Sequence, residues 1–179
     1  MNKHKEEHQI VCQSTIEALF SLMEKKAFSE ISVTELIQKA GIARTTYYRN
    51  FTSKEAVIST YIDDILRNFN AEYPVRNFKD RYQNEHILHI LDYVLRYENH
   101  LKILYKSGLS AIYLDRINRY FIESYREQKL SEREIFDIYA YTGSEFNVIF
   151  NWLMGDSKLN KNEIAELIKR SINWADEKT

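Results

Sequence analysis

The stretch from Ser32 to Phe51, SVTELIQKAGIARTTYYRNF, constrains this chain more than any other. Ser32 is placed to cap a helix, and Glu35 three residues on completes the pattern of a capping box. Val33, Leu36, Ile37 and Ala40 then recur at helical spacing, so one face of the segment seeks burial. Gly41 follows, and glycine takes the left-handed conformation that ends a helix without steric cost. Ile42 restarts the apolar pattern, and Arg44 to Asn50 read as a second short helix crowded with hydrogen-bonding side chains. A helix, a glycine turn and a helix presenting Arg, Thr and Tyr outward are the parts of a DNA-binding helix-turn-helix.

With its flanks, the segment KKAFSEISVTELIQKAGIARTTYYRNFTSKEAVI resembles the N-terminal domain of the TetR/AcrR family of transcriptional regulators. The resemblance is close over the first third of the chain and is carried by Ala40, Gly41, Thr46, Tyr48, Phe51, Ser53, Lys54 and Glu55. Three positions depart from the family. Ala43 stands where Ser is usual and so lacks a capping hydroxyl, Asn50 stands where His or Tyr is common, and Ala27 replaces a frequent Gly. The resemblance implies an all-α homodimer: an N-terminal three-helix helix-turn-helix DNA-binding domain over 1–51, a connecting helix over 52–73, and a C-terminal helical ligand-binding and dimerisation domain over 74–179. Two-fold symmetry then sets the Arg44–Asn50 helices in successive major grooves of a near-palindromic operator.

Roles on that helix follow from position and chemistry. Arg44 and Thr45, at its outward N-terminal end, are the expected base readers, since Arg engages guanine in a bidentate way and Thr bonds a base or touches a thymine methyl. Thr46, Tyr48, Asn50 and Lys54 match family positions that contact phosphate, which holds the helix without reading sequence. Arg49 either reaches phosphate or stays solvated. Tyr47 packs inward, because the family prefers Leu or Phe there.

Composition is compatible with this. The formal net charge is −1, yet between Leu36 and Lys54 there are Lys39, Arg44, Arg49 and Lys54 and no acidic residue. Phosphate contact needs only such a local positive surface. One Pro and four Gly among 179 residues leave few breaks and favour long helices. Cys12 is the only cysteine, which excludes an intrachain disulfide and a cysteine metal cluster. No run reaches the roughly 18 apolar residues that cross a membrane. The charged start, MNKHKEEHQ, lacks the apolar core of a signal peptide, so a cytoplasmic location is expected. Lys3, His4 and Lys5 are either a basic arm toward DNA or a solvated terminus.

Helix 1 is expected from near Glu7 to Lys26, and a capping box at Thr52–Glu55 opens a helix of about five turns carrying Val57 to Phe69. Pro74 and the polar stretch VRNFKDRYQN mark a boundary. Asn84, Asn99, Ser131 and Asn160 are candidate caps for later helices. In the Ser131–Met154 helix one stripe holds Ile135, Ile138, Tyr139, Phe146, Ile149, Phe150 and Leu153, while Tyr141, Val148 and Trp152 lie off it. A helix apolar nearly all round calls for cover on every side, and a second copy of the chain is the expected cover.

Tyrosine is common, with 13 residues, most of them after Asp80. Flat rings with hydroxyl handles suit a small-molecule pocket, and Tyr93, Tyr97, Tyr113 and Tyr120 are the expected lining. His86, His89, Tyr93 and Tyr97 share a helical face, with His100 a turn away, but two His at this spacing give only two metal ligands, so no metal site is expected. No phosphate loop, zinc-protease helix or nucleophile elbow is present, and neither catalysis nor a cofactor is expected. A protein co-regulator in place of a small molecule is the alternative partner. The stretch LKILYKSGLSAIYLDRINRYF weakly resembles a subgroup, including regulators of dihydroxyacetone utilisation, that uses one.

Overall fold

The structure, a computed structural model, describes residues 3–173. Among them are nine α-helices and no strand. The helices are α1 Lys3–Met23, α2 Val33–Ala40, α3 Arg44–Asn50, α4 Lys54–Glu72, α5 Asn84–Arg96, α6 Glu98–Lys106, α7 Ser110–Ser124, α8 Glu132–Met154 and α9 Lys161–Asn173. Short 3-10 turns lie at Phe28–Glu30, Phe78–Tyr82 and Arg126–Gln128. The backbone at 3–5 opens α1, and the side chains of Lys3, His4 and Lys5 lie outside the described residues.

Local chemistry sets the helix ends. α1 stops at Met23, short of the expected Lys26, because the Lys25 amide bonds the Leu22 carbonyl at 2.9 Å and tightens the last turn. Ser32 Oγ accepts the Glu35 amide at 3.1 Å, but the Glu35 carboxylate turns to the Lys26 ammonium and leaves the box half made. Gly41 ends α2 with φ 67° and ψ 30°, the left-handed conformation expected of it. Ser53, and not Thr52, caps α4 by accepting the Ala56 amide at 3.2 Å. Asn84 and Asn99 lie inside the first turns of α5 and α6, with Gln83 and Tyr97 at the cap positions. The Ser131–Glu134 box forms as expected. At α9 the Asn160 side chain accepts from Asn162 and Glu163 amides at 2.9 and 3.2 Å, and Glu163 answers the Asn160 amide at 2.7 Å.

α1, α2 and α3 close a small core around Leu19, Leu36 and Tyr47. Its far wall is the N-terminal half of α4, where Val57 and Ile58 are fully buried. The C-terminal half of α4 runs on against α7. Arg116 grips Asp63 with two nitrogens, and Arg96 grips Glu72 with two bonds of 2.8 Å. Part-exposed ion pairs contribute about 0–1 kcal/mol, against about 1.5–3 kcal/mol for each fully buried Leu or Ile. Apolar burial therefore holds α4 in both halves, and the ion pairs fix its rotation.

Two stretches differ from expectation. The polar segment after Pro74 folds inward: Arg81 is 2% exposed, and the Phe78 ring lies among those of Tyr82, Phe121, Tyr125 and Tyr141. On α8 the assignment of two tyrosines reverses. Tyr141 is buried against Phe78, Tyr82 and Phe121, whereas Tyr139 is 43% exposed. The inward-folded turn adds a second wall to the core, so the buried arc of α8 is wider than its apolar stripe and takes in Tyr141. Val148 and Trp152 are half-buried, with the Trp152 indole N–H donating to the Leu159 carbonyl at 3.0 Å.

Candidate nucleic-acid interface and interior cavity

α3 is seven residues long and buries one side chain, Tyr47, which packs on Phe51 with ring centres 5.6 Å apart. This is the inward Tyr47 expected from the sequence. Burial leaves its hydroxyl without a hydrogen-bond partner among the described residues and pushes its pKa up to about 12. No side chain caps α3, since Ala43 has none to offer.

Anchoring Tyr47 turns Arg44, Thr45, Tyr48 and Arg49 to the surface. The Arg44 guanidinium donates to Thr34 Oγ1 at 3.3 Å and to the Tyr48 hydroxyl at 3.4 Å, and sits 5.4 Å from the Tyr48 ring centre. Thr34, exposed on α2, had no signal in the sequence beyond lying off the apolar face. The bonds are long, so the guanidinium is oriented without being locked. Lys39, exposed at the end of α2, adds a second positive charge beside the turn. The exposed cation, hydroxyls and phenol present donors that suit the edges and phosphates of a major groove.

Thr46 and Asn50 are only half exposed, and Asn50 spends its amide on the Thr46 carbonyl at 2.7 Å. Lys54 is engaged more fully. Its ammonium donates to the Phe28 and Ile31 carbonyls at 2.7 and 2.6 Å and lies 4.5 Å from the Phe28 ring centre. The side chain thus clasps the start of α4 to the turn before α2, with at most one N–H left for a phosphate. Lys54→Ala is expected to lower stability by about 1.5–3 kcal/mol, the range for hydrogen bonds to a charged group. The salt slope of DNA binding should hardly move. A slope reduced by about 1 per subunit at unchanged stability would return Lys54 to phosphate contact.

In the second half of the chain α4, α5, α6, α7 and α8 line a narrow cavity, partly open to solvent, with about 430 Å³ of space counted to its mouth. Tyr93, Tyr97 and Tyr113 line it, with Ile65, Leu66 and Phe69 of α4 forming one wall. Tyr120 is not in the lining. The lining ridge of α7 runs Tyr113, Ile117, Phe121 at i, i+4, i+8, and Tyr120 falls off that ridge.

The cavity holds one group that the tyrosine pattern did not suggest. Glu145 of α8 lines it at 4% exposure, and burial pushes its carboxyl up to about 7. A lone Glu four residues from both Tyr141 and Ile149, inside an apolar stripe, was its only mark in the sequence. Behind it Arg81 donates to the Tyr125 hydroxyl and to Asn70 Oδ1, both at 3.0 Å, and contacts His86 at 3.4 Å. His86 is pushed down to about 4, first by burial and then by Arg81, and so stays neutral. His89 stacks on Tyr73, and His100 bonds the Tyr61 hydroxyl at 2.6 Å while stacking on Phe20 of α1. That last contact ties α6 to both α1 and α4.

Residues 16–60 match the family model described as "Bacterial regulatory proteins, tetR family". The HTH-type transcriptional regulator EthR of Mycolicibacterium smegmatis is 44% identical over 52 residues, 29% of this chain and 24% of that protein. EthR of Mycobacterium tuberculosis is 44% identical over 46 residues, 26% of this chain and 21% of that protein. The matched region thus spans about a quarter of the length of these curated relatives. Two solved structures share the fold over nearly the whole chain at low identity. Lin0861 from Listeria innocua has a TM-score of 0.72 at 16% identity, covering 91% of both chains. A TetR transcriptional regulator from Streptococcus agalactiae has a TM-score of 0.62 at 19% identity, covering 96% of this chain and 99% of its own. Residues 16–60 thus carry the N-terminal domain of the tetR family of bacterial regulatory proteins, and over nearly its whole length the chain shares its all-α fold with the two solved structures.

Proposed function

We propose that the protein is a homodimeric, ligand-responsive transcriptional regulator that binds a near-palindromic operator and carries out no catalytic step. The observation that carries this reading is the exposed cluster of Arg44, Thr45 and Tyr48 on a helix anchored from behind by Tyr47. In this reading 1–51 hold the DNA reader, 52–73 the connector and 74–179 the regulatory and dimerising part, and the protein works in the cytoplasm. A small molecule entering the cavity presses on Ile65, Leu66 and Phe69 of α4, whose other end carries the helix-turn-helix. Binding weakens DNA affinity by as much as the ligand prefers the conformation with mis-spaced recognition helices. Selecting bound sequences from a random DNA pool tests the whole. Two inverted half-sites with centres about one DNA turn apart are expected, and enrichment of single, unpaired sites would overturn the dimeric reading.

Dimerisation through α8 and α9 is supported by what α8 shows to solvent. At 100° per residue its outward face carries Phe136, Ala140, Gly143 and Asn147, with Tyr139 at the edge. Phe136 is 63% exposed, and on α9 Leu167 is 41% exposed. No atom stands within 4 Å of a Cβ built on Gly143, so nothing within the chain requires a glycine there. A glycine inside a helix costs about 1 kcal/mol relative to Ala, and close approach of a second helix would explain it. Gly143→Arg is therefore expected to leave the helical circular-dichroism spectrum intact and to convert the dimer to a monomer in sedimentation. A variant that sediments as the wild type does would remove α8 from the interface.

A further inference from the structure

We propose that the interior cavity takes small apolar cations, a protonated amine or quaternary ammonium on an aromatic or aliphatic body, with Glu145 as the anchoring carboxylate. The proposal deepens the ligand-responsive reading above and rests on it. Four observations carry it.

Glu145 is almost completely buried, and its Oε2 has no hydrogen-bond partner among the described residues, while Tyr141 bonds the carboxyl from the same helix. A buried acceptor left unmade is costly and is uncommon in native structures. A ligand group that donates to Oε2 removes that cost, and a cationic donor removes most because it also compensates the charge. Second, the sign of the site is fixed. Among the described residues Glu145 is the one charged side chain in the lining, and no Lys, Arg or His joins it. Arg81 lies behind the wall, its guanidinium occupied by Tyr125, Asn70 and His86 and packed 4.5 Å from the Phe121 ring centre. An anionic ligand would meet the carboxylate directly, and the positive charge nearest to it, Arg81, already has its nitrogens occupied by Tyr125, Asn70 and His86.

Third, the rest of the wall is aromatic. Tyr93, Tyr113 and Phe121 line the space together with Glu145, and the face of an aromatic ring attracts a cation, more strongly once water is excluded. Fourth, the Tyr93 and Tyr97 hydroxyls are 3.4 Å apart and can bond each other, leaving Glu145 as the unfilled polar group. A neutral apolar ligand would fill the space and leave Oε2 as it is, which is why charge decides the class.

The groups that face the carboxyl are Arg81 from the Phe78–Tyr82 turn, Tyr113 from α7, Tyr93 and Tyr97 at α5, and Tyr141 from α8. α4 and α6 offer only Ile65, Leu66, Phe69 and Leu101. The buried Tyr93, Tyr113 and Tyr141 hydroxyls are held protonated, so near neutrality Glu145 is the group that titrates. Cation binding should therefore strengthen as pH rises through about 7, the value to which burial has raised the carboxyl.

The test is calorimetric titration of the full chain with three probes of one size: 2-phenylethylammonium, neutral 2-phenylethanol and anionic 3-phenylpropionate. The amine is expected to bind more tightly than the alcohol by about tenfold or more at roughly pH 8, and the advantage should shrink at roughly pH 6. The propionate should bind least. Glu145→Gln should abolish the amine's advantage, and if that variant does not fold, the wild-type pH comparison decides alone. Equal binding of amine and alcohol, or preference for the propionate, overturns the proposal and leaves the ligand-responsive reading standing. Silence from all three probes overturns the proposal and counts against that reading as well.

Discussion

Arg81→Ala is expected to lower the stability of the protein by about 3–5 kcal/mol, the range for removing one member of a buried charged network. Arg81 is 2% exposed, and among the described residues no carboxylate bonds it directly, so its removal relieves the cost of burying a cation. Against that, the Tyr125 hydroxyl and Asn70 Oδ1 lose their donor, at about 1–3 kcal/mol for each buried group left unsatisfied. Phe121 loses the guanidinium stacked 4.5 Å from its centre, and a void opens where the side chain ran between α4 and α7. Glu145 also loses the nearby positive charge that holds its carboxyl down. These losses exceed the relief, and they fall on a domain whose whole margin is about 5–15 kcal/mol.

Urea denaturation followed by tyrosine and tryptophan fluorescence measures the change. A midpoint falling by about a fifth or more at an unchanged slope is the expected result. Arg81→Met keeps an apolar stem against Phe121 and should lose less, the difference between the two variants reporting the packing share. A loss below about 1 kcal/mol for Arg81→Ala would mean that the network is slack and that burying the cation costs nearly what its bonds return.

The helix-turn-helix and the start of one later helix were legible because their signals are local. Gly41, the Arg44–Asn50 span and the Ser131–Glu134 box each depend on residues within a turn of one another, and each stands where the pattern placed it. Tyr47 was readable for the same reason: the apolar face of so short a helix has one position to spend. The interior of the second half was only partly legible, because burial there is set by what folds over what. A polar VRNFKDRYQN stretch says "surface" until a 3-10 turn folds Arg81 under Phe121 and Tyr125, and nothing near Arg81 in sequence marks it. The same inward turn exchanges the environments of Tyr139 and Tyr141 on α8. Lys54 shows a different limit. A family position implied phosphate, but the carbonyls of Phe28 and Ile31, more than twenty residues away in the chain, occupy its ammonium.

On the recognition helix the question is whether Arg44 reads a base or holds a phosphate, and the two answers differ in what salt does to them. Arg44 opens α3, and its guanidinium bridges Thr34 and Tyr48 at 3.3 and 3.4 Å, long bonds that a bidentate contact to guanine would outcompete. If it reads a base, Arg44→Ala costs about 1–3 kcal/mol per half-site, hence about 2–6 kcal/mol for a symmetric dimer on its operator. Affinity for scrambled DNA then falls far less, and sequence preference relaxes at one position in each half-site. If it holds a phosphate, both DNAs weaken alike, and the slope of log affinity against log salt falls by about 1 per subunit. Thr34→Ala removes one of the two groups that orient the guanidinium without touching its charge, so its smaller loss should appear on operator and not on scrambled DNA. Titrating both DNAs at several salt concentrations with each variant separates the cases. The expected pattern is a large operator-specific loss for Arg44→Ala, and equal losses on both DNAs with a reduced slope would assign Arg44 to the backbone, leaving Thr45 as the base reader.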